Sequence, residues 1–190
     1  MQTGAVEIPP YDDPLIIAGQ GTAGLELMDQ VPELDAMMVP VGGGGLLAGV
    51  ILAANASVEV YGAEPKNADD AYRSLRTGVR VMEHRPDTLC DGLLTTLGEM
   101  NFEIIRRGAE DILLVSEAQI ITAMEFIWRY LKQLVEPSSA VVLAAIMAHR
   151  ETFAGKKIGV VLTGGNVDYR NLPFTQSASL AVSGLKVPVA

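Results

Sequence analysis

Apolar runs without polar alternation recur along the chain, separated by stretches of helical period, a pattern that predicts strands buried on both faces with helices between them. Ala36-Met-Met-Val-Pro-Val41 is the first such run, and Thr22 to Gln30 predicts a helix ahead of it. Leu46 to Ala54 predicts the helix that follows. Val58 to Ala63 predicts a second strand ending in Glu64-Pro65, then a helix over Asn67 to Arg76 with Asn67 placed to cap it. Ser116-Glu-Ala-Gln119 has the form of a capping box. The helix it opens carries Ile120, Met124, Ile127, Leu131 and Leu134 at steps of four and three, hence on one face. Pro137-Ser138-Ser139 opens a helix from Ala140 to Ala148 that is apolar all round and so belongs in the interior. Lys157 to Leu162 predicts a third strand, ending in Thr163-Gly164-Gly165-Asn166. The expected class is α/β, a parallel twisted sheet with helices on both faces.

Ligands gather at the carboxyl ends of the strands in such a sheet. Gly42-Gly43-Gly44-Gly45, Glu64-Pro65 and Thr163-Gly164-Gly165 all fall at that edge. A glycine turn between strand and helix lets the backbone approach a ligand, because no Cβ intervenes. It also leaves free N–H groups at a helix N-terminus, where an anion such as phosphate is stabilised. A glycine run can equally be a plain flexible loop; the strand-to-helix setting favours the anion site.

Composition narrows the classes. The formal charge of −9 over 190 residues offers no basic stripe for nucleic acid. The one cysteine, Cys90, and two distant histidines, His84 and His149, exclude an intramolecular disulfide and a Cys/His zinc cluster, and fit a reducing cytoplasm. No apolar stretch is long enough to span a bilayer, so no membrane partner is expected, and the N-terminus has neither the basic start nor the apolar core of a signal peptide.

Seven short stretches occur in one order: Pro9-Pro-Tyr-Asp-Asp-Pro14, Ile17-Ala-Gly-Gln-Gly-Thr22, Val39-Pro-Val-Gly-Gly-Gly-Gly-Leu46-Leu-Ala-Gly49, Ala63-Glu-Pro-Lys-Asn-Ala-Asp-Asp70, Cys90-Asp-Gly92, Val135-Glu-Pro-Ser138 and Leu162-Thr-Gly-Gly-Asn166. Together, over about residues 8 to 168, they resemble the serine racemase and serine/threonine dehydratase family of pyridoxal-phosphate enzymes, of the tryptophan-synthase-β fold group. The resemblance implies that Gly42, Gly43, Gly44, Gly45 and Leu46 bind the cofactor phosphate through backbone N–H groups, and that Thr163 hydrogen-bonds the pyridine nitrogen. A hydroxyl there does not hold the ring nitrogen protonated, which suits β-elimination or proton return. It further implies a divalent-cation site for Mg2+, Ca2+ or Mn2+ at Glu64, the carbonyl of Ala68, and Asp70, with waters completing the shell. Taken bare, those acids also suit the N-terminal dipole of a helix. Met100 aligns with a further position near the metal, one residue before Asn101, so that contact is left unassigned. Asn166 matches a nucleotide-contacting position of ATP-activated relatives, although most of that pocket lies elsewhere in the family's chain. Glu136 lies near the ring by alignment or caps the helix beginning at Pro137; Tyr11 carries no assignment.

The family's Ser-Phe-Lys motif, which supplies the lysine bonded to the cofactor, and its Ser-Gly-Asn-His loop have no counterpart here. The five lysines, Lys66, Lys132, Lys156, Lys157 and Lys186, do not show the desolvated setting that such a nucleophile needs, so the catalytic residues stay unknown. Residues 1–170 are expected to form most of the large domain and 171–190 a loosely held tail. The implied function is a pyridoxal-phosphate-dependent ammonia-lyase or racemase for serine, threonine or 3-hydroxyaspartate, with this chain lacking the Schiff-base lysine. The alternative is a non-catalytic partner that keeps phosphate and metal binding. The expected partners are the amino-terminal half or a partner chain, a small amino acid, and a second copy in a homo-oligomer.

Overall fold

A computed structural model describes residues 4–175. Helix α1 (Pro14–Gln30) starts at a proline, and the Asp13 carboxylate accepts from the N–H groups of Leu15 and Ile16. It leads to β1 (Ala36–Pro40), α2 (Gly45–Ala54), β2 (Glu59–Pro65) and α3 (Asp70–Thr77). An irregular stretch precedes α4 (Glu99–Gly108), followed by β3 (Asp111–Val115), α5 (Glu117–Phe126), α6 (Pro137–Ala148) and β4 (Ile158–Val160). The strands form one sheet in the order β3-β2-β1-β4, and every pairing is parallel.

Every residue of β1 is buried, as its continuous apolar run requires of a central strand. Met37 and Val39 face one layer, packed with Ile17 of α1, Leu47 and Val50 of α2, and Phe102 and Ile105 of α4. Ala36 and Met38 face the other, formed by α5 and α6. The expected α/β class with helices on both faces is what the structure shows.

Several elements differ from expectation. Helix α1 starts eight residues before Thr22, because Gly19 and Gly21 hide an otherwise helical segment. Gly21 is needed there: a Cβ on it would lie 2.7 Å from the carbonyl oxygen of Gly49, so glycine lets α1 and α2 cross closely. Asn67 does not cap α3; Asp69 takes the N-cap position and the buried Glu64 carboxylate accepts from Ala71 and Tyr72 N–H. Strand β3 and helix α4 are additions to the expected elements. The Ser116–Gln119 capping box is present in both directions. The stripe of α5 breaks in a π turn over Ile127–Leu131, with Lys132 left-handed after it, so Leu131 and Leu134 face solvent. Of residues 171–190, only 171–175 are described; within them Leu172 is buried and Phe174 packs on Trp128.

Candidate functional site

The chemistry-bearing motifs meet at the carboxyl edge of the sheet. Strand β1 runs through Val41 into the glycine loop, and Gly44, at φ 86°, is the left-handed residue that turns the chain into α2. A Cβ on Gly44 would come within 2.7 Å of Leu97 and 2.9 Å of Ile105. Among the described residues, the backbone N–H groups of Gly42, Gly43, Gly44, Gly45 and Leu46 donate to no protein acceptor. Unpaired amides at a helix N-terminus are what an anion binds.

The loop is fixed from behind. The Gly43 carbonyl oxygen accepts from Asn101 Nδ2 at 2.7 Å and from Gly98 N at 3.0 Å. Asn101 is fully buried in the first turn of α4, whose N–H groups at Glu99, Met100 and Asn101 are in turn held by the Asp12 carboxylate. Gly42 rests on Gly92 and Leu93, while the Tyr11 ring covers Gly43 so closely that a Cβ there would lie 2.4 Å from it. A cleft of about 670 Å³ opens beside the loop, bordered by Tyr11, His84, Leu94 and Thr95.

Thr163 lies three residues past the end of β4, the strand paired with β1. Val161 N–H continues the ladder to Met38 carbonyl oxygen, so Thr163 emerges beside the glycine loop from a parallel strand spaced about 4.8 Å away. Its hydroxyl is exposed and makes no hydrogen bond among the described residues, while its N–H donates to Ser139 Oγ at 3.0 Å. Glu136 occupies the N-cap position of α6, but its side chain does not cap that helix. Its Oε2 accepts from Asn166 N–H at 2.9 Å, and its own N–H donates to Gly164 carbonyl oxygen. Ser138 Oγ accepts from Gly92 N–H at 3.0 Å. The start of α6 therefore ties together the loop carrying Thr163 and the segment beneath Gly42.

Glu64, Ala68 and Asp70 lie at the end of β2 and the start of α3, and all three are buried. Glu64 Oε1 and Oε2 accept from Ala71 N–H at 3.1 Å and Tyr72 N–H at 2.9 Å. Burial, and then the Asp70 charge, push the Glu64 carboxyl well above its ordinary range. Burial also raises Asp70, against the Leu97 N–H that donates to its Oδ2 at 3.0 Å and against His84. Asp70 Oδ1 is buried without a hydrogen-bond partner, and the Ala68 carbonyl accepts none among the described residues. Among the described residues, no three Asp, Glu, His or Cys side chains converge as a ready-made metal centre. Two buried carboxylates with spare lone pairs and an unused carbonyl nevertheless make a donor set that fits a hard divalent cation, with water completing the shell.

None of the four described lysines joins these groups. Lys156 and Lys157 pair with Glu59 and Glu33 at the opposite end of the sheet, Lys132 donates to the Arg129 carbonyl, and Lys66 borders a groove with Tyr72 and Arg76. Lys186 lies outside the described residues.

The pyridoxal-phosphate dependent enzyme family matches residues 1–164. The chain belongs to that family. It is 44% identical over 176 residues to the β-hydroxyaspartate dehydratase of Paracoccus denitrificans, covering 91% of this chain and 56% of that protein. The crystal structure of serine racemase from Dictyostelium discoideum superposes with a TM-score of 0.81 at 45% identity, over 88% of this chain and 55% of that one. The structure of maize serine racemase does so with a TM-score of 0.85 at 39% identity, over 95% and 57%. The chain thus spans about half the length of the curated relatives it matches.

Among the positioning residues, Asp12 and Ser138 lie within stretches that carry the resemblance and Ser139 at a helix start, but the hydrogen-bond partners of Asn101, Asp12, Ser138 and Ser139 have no signal in the sequence. Each acts across a long separation, such as Asp12 on the N-terminus of α4.

Proposed function

We propose that this chain is the cofactor-phosphate-binding portion of a pyridoxal-phosphate-dependent ammonia-lyase or racemase acting on serine, threonine or 3-hydroxyaspartate. The observation that carries the reading is the row of unpartnered amides at Gly42–Leu46 beside the free hydroxyl of Thr163, on adjacent parallel strand ends. Those amides and the N-terminal dipole of α2 would hold the phosphate. Thr163 would orient the ring by a hydrogen bond to its nitrogen, and Ser139 and Glu136 keep the Thr163 loop in place. When bound, the cofactor supplies an electron sink for the Cα of an amino acid. Residues 1–170 form the large-domain portion in this reading.

Glu64, the Ala68 carbonyl and Asp70 would hold Mg2+, Ca2+ or Mn2+, which would neutralise two buried carboxylates and pin α3 to β2. A lysine from an amino-terminal half or partner chain would move the α-proton, and the complete assembly would be a homo-oligomer. The buried lone thiol of Cys90 fits a cytoplasmic setting. No helix among the described residues is long and apolar enough to cross a membrane.

A second reading, a partner that binds phosphate and cation without catalysis, draws on the placement of the four described lysines away from the site. Co-purification with a separately expressed amino-terminal half of a relative separates the two. Keto-acid release from L-serine or 3-hydroxyaspartate supports the enzyme reading. Stable association and cofactor binding without product supports the partner.

A further inference from the structure

We infer that Arg85 reads the distal carboxylate of a dicarboxylic amino acid, so that the site selects a β-hydroxy amino dicarboxylate over serine and threonine. The inference rests on the reading of Gly42–Leu46 as the cofactor-phosphate cradle, and it narrows the substrates named above to one class.

The cleft of about 670 Å³ beside the glycine loop shares two of its walls with that loop. The Tyr11 ring lies against Gly43, and Thr95 Oγ1 would stand 3.3 Å from a Cβ on Gly42. A group held in the cleft is therefore next to whatever the loop amides hold. Arg85 lines the same cleft, from the irregular stretch between α3 and α4.

The chain carries a formal charge of −9, and most of its arginines find a partner. Six of the nine described arginines pair with carboxylates, and a seventh, Arg80, donates to the Leu97 carbonyl oxygen. The side chains of Arg85 and Arg150 make no hydrogen bond or ion pair among the described residues, and Arg150 lies in the turn after α6, outside the cleft. Glu83 borders the cleft without pairing with Arg85, and the His84 ring is engaged by Asp70 and the Leu94 carbonyl oxygen. The hydroxyls of Thr95 and Thr96, on the same lining, also make no hydrogen bond among the described residues.

A free guanidinium and two free hydroxyls on one lining match a carboxylate. The arginine fork donates two parallel N–H bonds to it, and lone pairs remain for the hydroxyls. The side chains of serine and threonine offer the fork no charge to pair with. The α-carboxylate is common to all three substrates and cannot discriminate among them.

The test uses stable reduced conjugates of pyridoxal phosphate with L-aspartate and with L-serine, in which a C–N single bond replaces the aldehyde. Their binding to the full 190-residue chain needs no lysine. The two share phosphate, ring and α-carboxylate and differ in the side chain alone. Calorimetric titration should give a Kd about fivefold or more lower for the aspartate conjugate, a preference that shrinks at high salt. Arg85→Gln should bring the two constants within about twofold by weakening the aspartate conjugate, whereas Arg150→Gln keeps the preference. Arg85 is exposed and bonds nothing, so the variant should fold, and a thermal midpoint matching the parent checks this. Equal affinities in the parent overturn the role of Arg85 and leave the cradle standing. So does a preference that survives Arg85→Gln or that Arg150→Gln also removes. An equal loss for both conjugates in Arg85→Gln shows it reading the shared α-carboxylate and overturns the inference too. No binding of either conjugate overturns the cradle as well.

Discussion

Asn101 Nδ2 donates to the Gly43 carbonyl oxygen at 2.7 Å, across 58 residues of sequence. This bond and the one from Gly98 N–H hold the Gly43 carbonyl against the start of α4, while the loop's N–H groups donate to no protein acceptor among the described residues. Truncating Asn101 to Ala removes a buried donor and should cost about 1–2 kcal/mol of stability. Calorimetric titration with pyridoxal phosphate should show a five- to tenfold weaker Kd for Asn101→Ala; an unaltered Kd would mean that the loop sets its own orientation.

Gly44 needs its missing side chain twice, for the left-handed φ and for the space that Leu97 and Ile105 occupy. Gly44→Ala should destabilise by roughly 2–4 kcal/mol. Gly19→Ala, in an open stretch of α1, should instead gain ~0.5–1 kcal/mol. Urea denaturation of the two variants beside the parent checks the contrast, and similar midpoints for both would refute it.

Ser139 Oγ is the acceptor for Thr163 N–H. Ser139→Ala should cost about 1 kcal/mol locally and speed hydrogen exchange at the Thr163 amide roughly fivefold. Exchange read by mass spectrometry should change in the peptide holding residues 161–166 and stay as in the parent for β2. Equal protection in both proteins would show that the Thr163 loop is held elsewhere.

Burial pushes the Cys90 thiol up to about 12. An unfolded chain releases that proton near pH ~8.5. The native state therefore holds more protons between those values, and stability falls as pH rises through that window, by at most ~1.4 kcal/mol per unit. Denaturation midpoints measured from pH 8 to 10 should fall less steeply in Cys90→Ala than in the parent. Native chain at pH 8.5 should resist a thiol reagent that reacts at once in denaturant; fast native labelling would contradict the burial.

The parts of the fold legible in the sequence are those whose information is local. The apolar run of β1, the glycine turn after it and the Ser116–Gln119 box each carry their own signal, and each is found as expected. Helix α4 is hidden because only Asn101, Phe102 and Ile105 of its ten residues are buried and its capping carboxylate comes from Asp12. Strand β3 lies at the sheet edge, and its apolar run Ile112–Val115 is four residues, against six in Ala36–Val41. The π turn after α5 inserts a residue that no periodicity announces, which is why Leu131 and Leu134 leave the stripe. Of the proposed site, Gly42–Gly45, Leu46, Thr163, Glu64, Ala68 and Asp70 are named from motifs. Asn101 and Ser139 are not, since the bonds they make depend on distant elements folded against them.

The anion cradle is tested most directly by backbone amide NMR of the chain titrated with pyridoxal phosphate and, separately, with inorganic phosphate. The amides of Gly42, Gly43, Gly44, Gly45 and Leu46 should shift together and saturably with both ligands, and Thr163 with the full cofactor alone. Shifts confined to other parts of the chain, or unmoved glycine amides at saturating cofactor, would contradict the assignment.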